Sequence, residues 1–139
     1  MSDASLDAAY RATDYFFNHS AGRICIRIGE PCPSIDAHSW AYLTACNPQS
    51  TILPRDENDR RMQMLLREVE AAGLRFYYGE ARSRDGKWPP EPSLLILDID
   101  EQAAIDLARR FEQAAIVFGR RDESARLVWI DDCSPTNSP

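Results

Sequence analysis

One carboxylate in this chain stands among groups able to hold it still. Glu91 lies in Trp88-Pro-Pro-Glu-Pro-Ser93, where prolines at 89, 90 and 92 fix φ and remove backbone donors. A carboxylate held beside an indole N–H and a hydroxyl can receive a ligand's donors, or act as general base or acid if burial raises its pKa. Asn47, Ser50, Asn58 and Gln113 place amides and a hydroxyl at the ends of other elements, and Arg61 adds a guanidinium. Asn47, Ser50, Asn58, Arg61, Trp88, Glu91, Ser93 and Gln113 are therefore the candidate ligand-binding set, with Glu91 the catalytic candidate. Structural alternatives stand beside them. Asn47 before Pro48 suits an Asx turn, Asn58 can be satisfied in a first helical turn, and Gln113 can bond locally. Trp88 can lid the core, and Glu91 can pin the backbone of the 44–50 turn.

Other chemistries lack their residues. The chain has no Gly-rich phosphate loop, no G-x-S-x-G and no H-E-x-x-H. Its histidines, His19 and His38, are not near a serine or cysteine in a telling context, and Cys25, Cys32, Cys46 and Cys133 form no C-x-x-C pair. No metal site, cofactor or nucleophilic triad is expected. Arg55, Arg60 and Arg61 at a helix start can meet an anion, or Arg60 and Arg67 can form a solvated face with Asp56, Glu57 and Glu70. A net charge of −6 and a pI near 4.9 disfavour binding to nucleic acid phosphates. No apolar run is long enough to span a bilayer. The acidic start Met1-Ser-Asp-Ala-Ser-Leu-Asp7 lacks the basic and apolar regions of an export signal, so a cytoplasmic setting with reduced thiols is expected. Of the 16 basic residues only Lys87 is a lysine.

The elements that must position these groups follow from periodicity. Leu6 to Phe17 reads as helix running into strand, with a hairpin through Asn18–Gly22 to the alternating Ile24, Ile26 and Ile28. Ser34 can cap a short turn before the buried strand Trp40–Ala45. Met62, Leu65, Leu66 and Val69 fall on one helical face within Arg55–Gly73, with Asp56 as N-cap and Gly73 as stop. Arg75–Tyr78 is a strand ended by Gly79, Arg82–Gly86 a charged loop, and Leu94–Leu97 a buried strand. A helix from Asp100 to Gln113, then strands 115–118 and 126–130 joined by a hairpin, complete the order.

From Trp40 onward this order predicts an α+β fold, a ferredoxin-like split β-α-β sandwich with a mostly antiparallel sheet and two helices on one face. An N-terminal helix and hairpin extend it. Residues 1–130 form one domain and 131–139 a disordered tail.

Thr44-Ala-Cys-Asn-Pro48, Trp88-Pro-Pro-Glu-Pro-Ser93 and Phe111-Glu-Gln-Ala-Ala-Ile116, in that order, resemble a bacterial family known as domain of unknown function 3293. The likeness runs from about Tyr10 to Ile130. It implies a single cytosolic domain and lends no catalytic residues; family members often carry glycine where Glu112 stands. The expected function is binding of a small polar ligand in a cleft between the Asn47-Pro48 and Trp88–Ser93 loops. The alternatives are a protein-interaction or regulatory module using the edge strand ending at Trp129, and a small enzyme with Glu91 as base on a nucleotide-like anion. Asn47→Ala or Glu91→Gln is expected to abolish binding at a cost below about 2 kcal/mol.

Overall fold

The computed structural model describes residues 3–32 and 35–130. The expected cap at Ser34, the tail over 131–139 and Cys133 lie outside these residues.

Seven strands form one antiparallel sheet. In chain order the elements are α1 (Asp3–Arg11), β1 (Thr13–His19), β2 (Gly22–Ile26), β3 (Ser39–Leu43), α2 (Arg55–Ala71), β4 (Phe76–Ser83), β5 (Glu91–Leu97), α3 (Glu101–Arg110), β6 (Ala115–Arg120) and β7 (Arg126–Trp129). The strands lie in the order β2-β1-β4-β5-β3-β6-β7. β5 thus separates β3 from β4, the two strands that α2 connects. The N-terminal hairpin is an integral part of the sheet rather than an extension, because β1 pairs with β4 from Thr13↔Ser83 to Phe17↔Gly79.

Period-2 alternation divides two cores between the faces of the central strands. Ala41, Leu43, Leu94, Ile96, Ile116 and Phe118 point towards α2 and α3, where Leu65, Val69, Ala104, Leu107 and Ala108 meet them. Trp40, Tyr42, Leu95, Leu97 and Val117 point the other way and pack with Tyr15, Phe17 and Ile26 from the first hairpin. Burial on both faces is why β5 reads as an unbroken apolar run. The sheet curls around this second core. Gly29 N donates to Ala125 O at 2.8 Å and Ala125 N to Glu30 O at 3.4 Å, tying the chain after β2 to the chain before β7.

Close approaches explain two glycines. A Cβ on Gly119 would stand 2.3 Å from Cζ2 of Trp40, and one on Gly79 would stand 2.3 Å from the Phe16 carbonyl oxygen. Gly79 therefore does not end β4, which runs on to Ser83 through the stretch expected as loop.

Helix ends agree with the sequence at two of four positions. Asp100 caps α3 by accepting from Ala103 N at 2.8 Å. Gly73, with φ 72°, stops α2, its N–H donating to Glu70 O while Leu74 N reaches Val69 O. Asp56 is not the N-cap of α2; Pro54 occupies that position and Asp56 lies in the first turn. Helix α3 ends at Arg110 and not at Gln113, because Glu112 turns left-handed, with φ 58°. Glycine takes that conformation without steric penalty. Glu112→Gly is expected to stabilise the fold by up to about 1 kcal/mol, measured by urea titration.

Candidate ligand-binding site

The site grows out of two short segments that flank the central strands. After β3, the chain makes a tight turn at Pro48–Ser50, where Asn47, Gln49 and Ser50 have φ of 50°, 50° and 61°. Left-handed φ at three non-glycine residues within four positions stores backbone strain that the surroundings must hold. Asn47 supplies much of that hold. Its Oδ1 accepts from Leu53 N and Asn58 Nδ2, each at 2.9 Å, and its own N–H donates to Asn58 Oδ1 at 2.9 Å. Gln49 N donates to Glu112 O at 2.7 Å, which fastens the turn to the end of α3.

The second segment enters β5 as strand rather than loop. Glu91 pairs with Ala81, and Pro92 with Glu80, on β4. The β3–β5 ladder begins only at Leu94, so Pro92 sits where its missing N–H interrupts no pairing with β3. Thr44 Oγ1 instead donates to Pro92 O at 2.7 Å and draws the two segments together.

Glu91 and Asn47 meet where the segments converge. Glu91 Oε2 accepts from Asn47 Nδ2 at 2.7 Å and from Trp88 Nε1 at 3.0 Å. Both donors are neutral. Burial is the larger influence and pushes the Glu91 carboxyl above the ordinary glutamate range, against the opposing pull of the two hydrogen bonds.

These groups open onto a cavity of about 550 Å³. Asn47, Ser50, Trp88, Glu91 and Gln113 of the sequence-derived set line it. Three other members of that set stand behind the wall. Asn58 braces Asn47, Ser93 Oγ donates to Glu91 O at 3.1 Å, and Arg61 spans to Ala45 O and Phe111 O at 2.6 Å each. Gln113, although it lines the cavity, donates from Nε2 to Cys46 O at 3.0 Å and so also buttresses the turn.

The opposite wall was not foreseen. It comes from α1 and the start of β1, with Leu6, Ala9, Tyr10, Thr13 and Tyr15 facing Glu91 across the space. Tyr10 is hydrogen-bonded to Ser50 and to the backbone of Ala115, while burial, reinforced by Glu91, pushes its phenol up to about 12. It stays neutral at physiological pH. Tyr15 Oη donates to Tyr10 O at 2.7 Å, fixing α1 over the opening. The small residues Ala8, Ala9 and Ala12 were the only trace of this wall in the sequence. Asp85 and Lys87, both exposed, add charge at the rim.

A family model described as "Protein of unknown function (DUF3293)" matches residues 43–116, more than half of the chain. The chain belongs to this family. The DUF3293 segment runs from the last residue of β3 into β6 and contains all eight residues of the sequence-derived set, while the α1 wall with Tyr10 lies outside it. No curated protein and no solved structure matches the chain.

Glu91 gives the site a pH signature. Its folded pKa lies above its unfolded value, so the native chain binds the proton more tightly and loses stability as pH rises through the window between the two values. Asp14, Asp98 and Glu101 act in the opposite sense, being held below their usual range, and lose their contribution as pH falls. They are common to wild type and Glu91→Gln and cancel in the comparison. The variant's Tm should match wild type near pH 4 and rise above it as pH increases towards 7, as read by calorimetry across that range. A constant difference would mean that Glu91 titrates normally.

Proposed function

We propose that this protein binds a small polar molecule in the cavity beneath α1, with the Glu91 carboxylate as the group that recognises it. One observation carries the reading. Oε2 of Glu91 is held by Asn47 and Trp88, whereas Oε1 accepts no hydrogen bond from a described residue and belongs to a side chain that lines a ligand-sized space. The strained Asn47–Ser50 turn beside it supports the same reading, since backbone strain collects where binding geometry is imposed.

Thermal shift against nucleotides, amino acids, amines and small anions tests the proposal. A compound that raises the wild-type midpoint and leaves Glu91→Gln unmoved supports it. Wild type unmoved by every compound, with Glu91→Gln melting far lower, would instead make the carboxylate a structural pin. The raised Glu91 pKa is also what a general base requires, and a turnover that Glu91→Gln removes would convert the binding site into an active site.

The reading keeps the expected cytoplasmic setting, in which the free Cys25, Cys32 and Cys46 remain reduced. We also read β3 to β6 as ferredoxin-like. The supporting observation is the order β4-β5-β3-β6 around two helices that share one core.

A further inference from the structure

Resting on that binding site, we infer that its ligand is a primary amine, bound as an ammonium on Glu91 Oε1 with an apolar body lying between α1 and Trp88.

The charge is the first argument. Glu91 has two hydrogen-bond partners, both neutral, and no cationic side chain forms an ion pair with it among the described residues. A carboxylate partly withdrawn from water without a counter-charge is costly, and a cation arriving in the cavity supplies one. The guanidinium that bonds the backbone beside this turn is engaged there, since Arg61 bonds Ala45 O, Phe111 O and Glu112, and the cavity lining includes no arginine. Lys87 is the cationic member of the cavity lining, and Asp85 accompanies it there. An anionic ligand would therefore meet Glu91 at the floor with a single lysine to offset it.

Geometry narrows the cation. A guanidinium fork needs both oxygens of a carboxylate for its paired hydrogen bonds. Oε2 already accepts from Asn47 and Trp88, which leaves a single oxygen suited to a compact ammonium. The walls suit what accompanies it. Tyr10, Tyr15 and Trp88 present aromatic rings that attract a cation, and Leu6, Ala9 and Ala12 offer an apolar surface for a short hydrocarbon or aryl group.

The test uses phenethylamine, tyramine and butylamine, each beside the alcohol and the carboxylate of the same carbon body. Each is titrated into 15N-labelled full-length protein and into Glu91→Gln. The Trp88 indole N–H and the Asn47 side-chain amide, which both donate to Glu91, are the reporters, assigned with Trp88→Phe and Asn47→Asp. Amines that move both signals and bind at least tenfold more tightly than the matching alcohols, a preference that Glu91→Gln erases, support the inference. The comparison of amine with alcohol on wild type needs no variant to fold. Alcohols or carboxylates that bind as well as the amines would overturn the amine assignment and leave the cavity as a binding site. No perturbation of cavity signals by any compound would overturn both.

Discussion

Asn47→Ala should cost the fold about 3 kcal/mol, a fall in Tm of roughly 10 °C. This exceeds the loss of under about 2 kcal/mol expected from the sequence, because the side chain turns out to be a junction rather than a surface contact. Removing it strands Leu53 N, leaves Asn58 Nδ2 only its longer bond to Leu53 O at 3.4 Å, takes one of two donors from Glu91, and leaves an alanine at φ 50°. Asn47 is only 5% exposed, so water cannot readily replace what is lost. Urea titration of Asn47→Ala and Asn47→Gly separates the two causes. Glycine relieves the left-handed strain without restoring a hydrogen bond, and should recover about 1 kcal/mol. Equal stabilities would show that strain contributes nothing at this turn. Asn58→Ala should be strongly non-additive with Asn47→Ala, since the two amides brace each other.

Gly119→Ala should be as damaging, by a different route. Its new methyl would stand 2.3 Å from Cζ2 and 2.5 Å from Cε2 of Trp40, a ring 1% exposed and walled in on the inner face of the sheet. An indole packed to crystalline density cannot yield by more than an ångström without moving its neighbours, so overpacking of about 3 kcal/mol is expected. The control is Trp40→Leu. Alone it opens a cavity and destabilises; combined with Gly119→Ala it removes the clash, and the double variant should be more stable than the sum of the single losses predicts. Simple additivity would mean that the glycine is needed for another reason.

Legibility followed the range of the interactions involved. The i, i+3, i+4, i+7 spacing of Met62, Leu65, Leu66 and Val69 marks α2 because a helix face is a local pattern, and the apolar run at 94–97 marks β5 because both its faces are covered. Glycine and proline were harder to interpret. Gly79 resembled a strand end but is a point of close contact with β1, and Pro92 resembled a loop but is strand. Both depend on which strand lies alongside, which local pattern does not disclose. The same distinction divides the site. Glu91, Asn47 and Trp88 were recoverable because prolines and an Asn-Pro pair announce constrained backbone. Tyr10 was not, since its place opposite Glu91 is set by how α1 docks some eighty residues away in sequence. The left-handed Gln49 and Ser50 carried no signal either, because neither is a residue type that favours that conformation.

Lys87 carries the chain's only side-chain amine, and it stands at the cavity. Arginine makes up the rest of the basic surface and does not react with acylating reagents under mild conditions, because its guanidinium stays protonated. Acylation of side-chain amines is thereby confined to one address. A fluorophore or cross-linker coupled there would report on occupancy from the threshold of the site, with no engineered residue and no second lysine to compete.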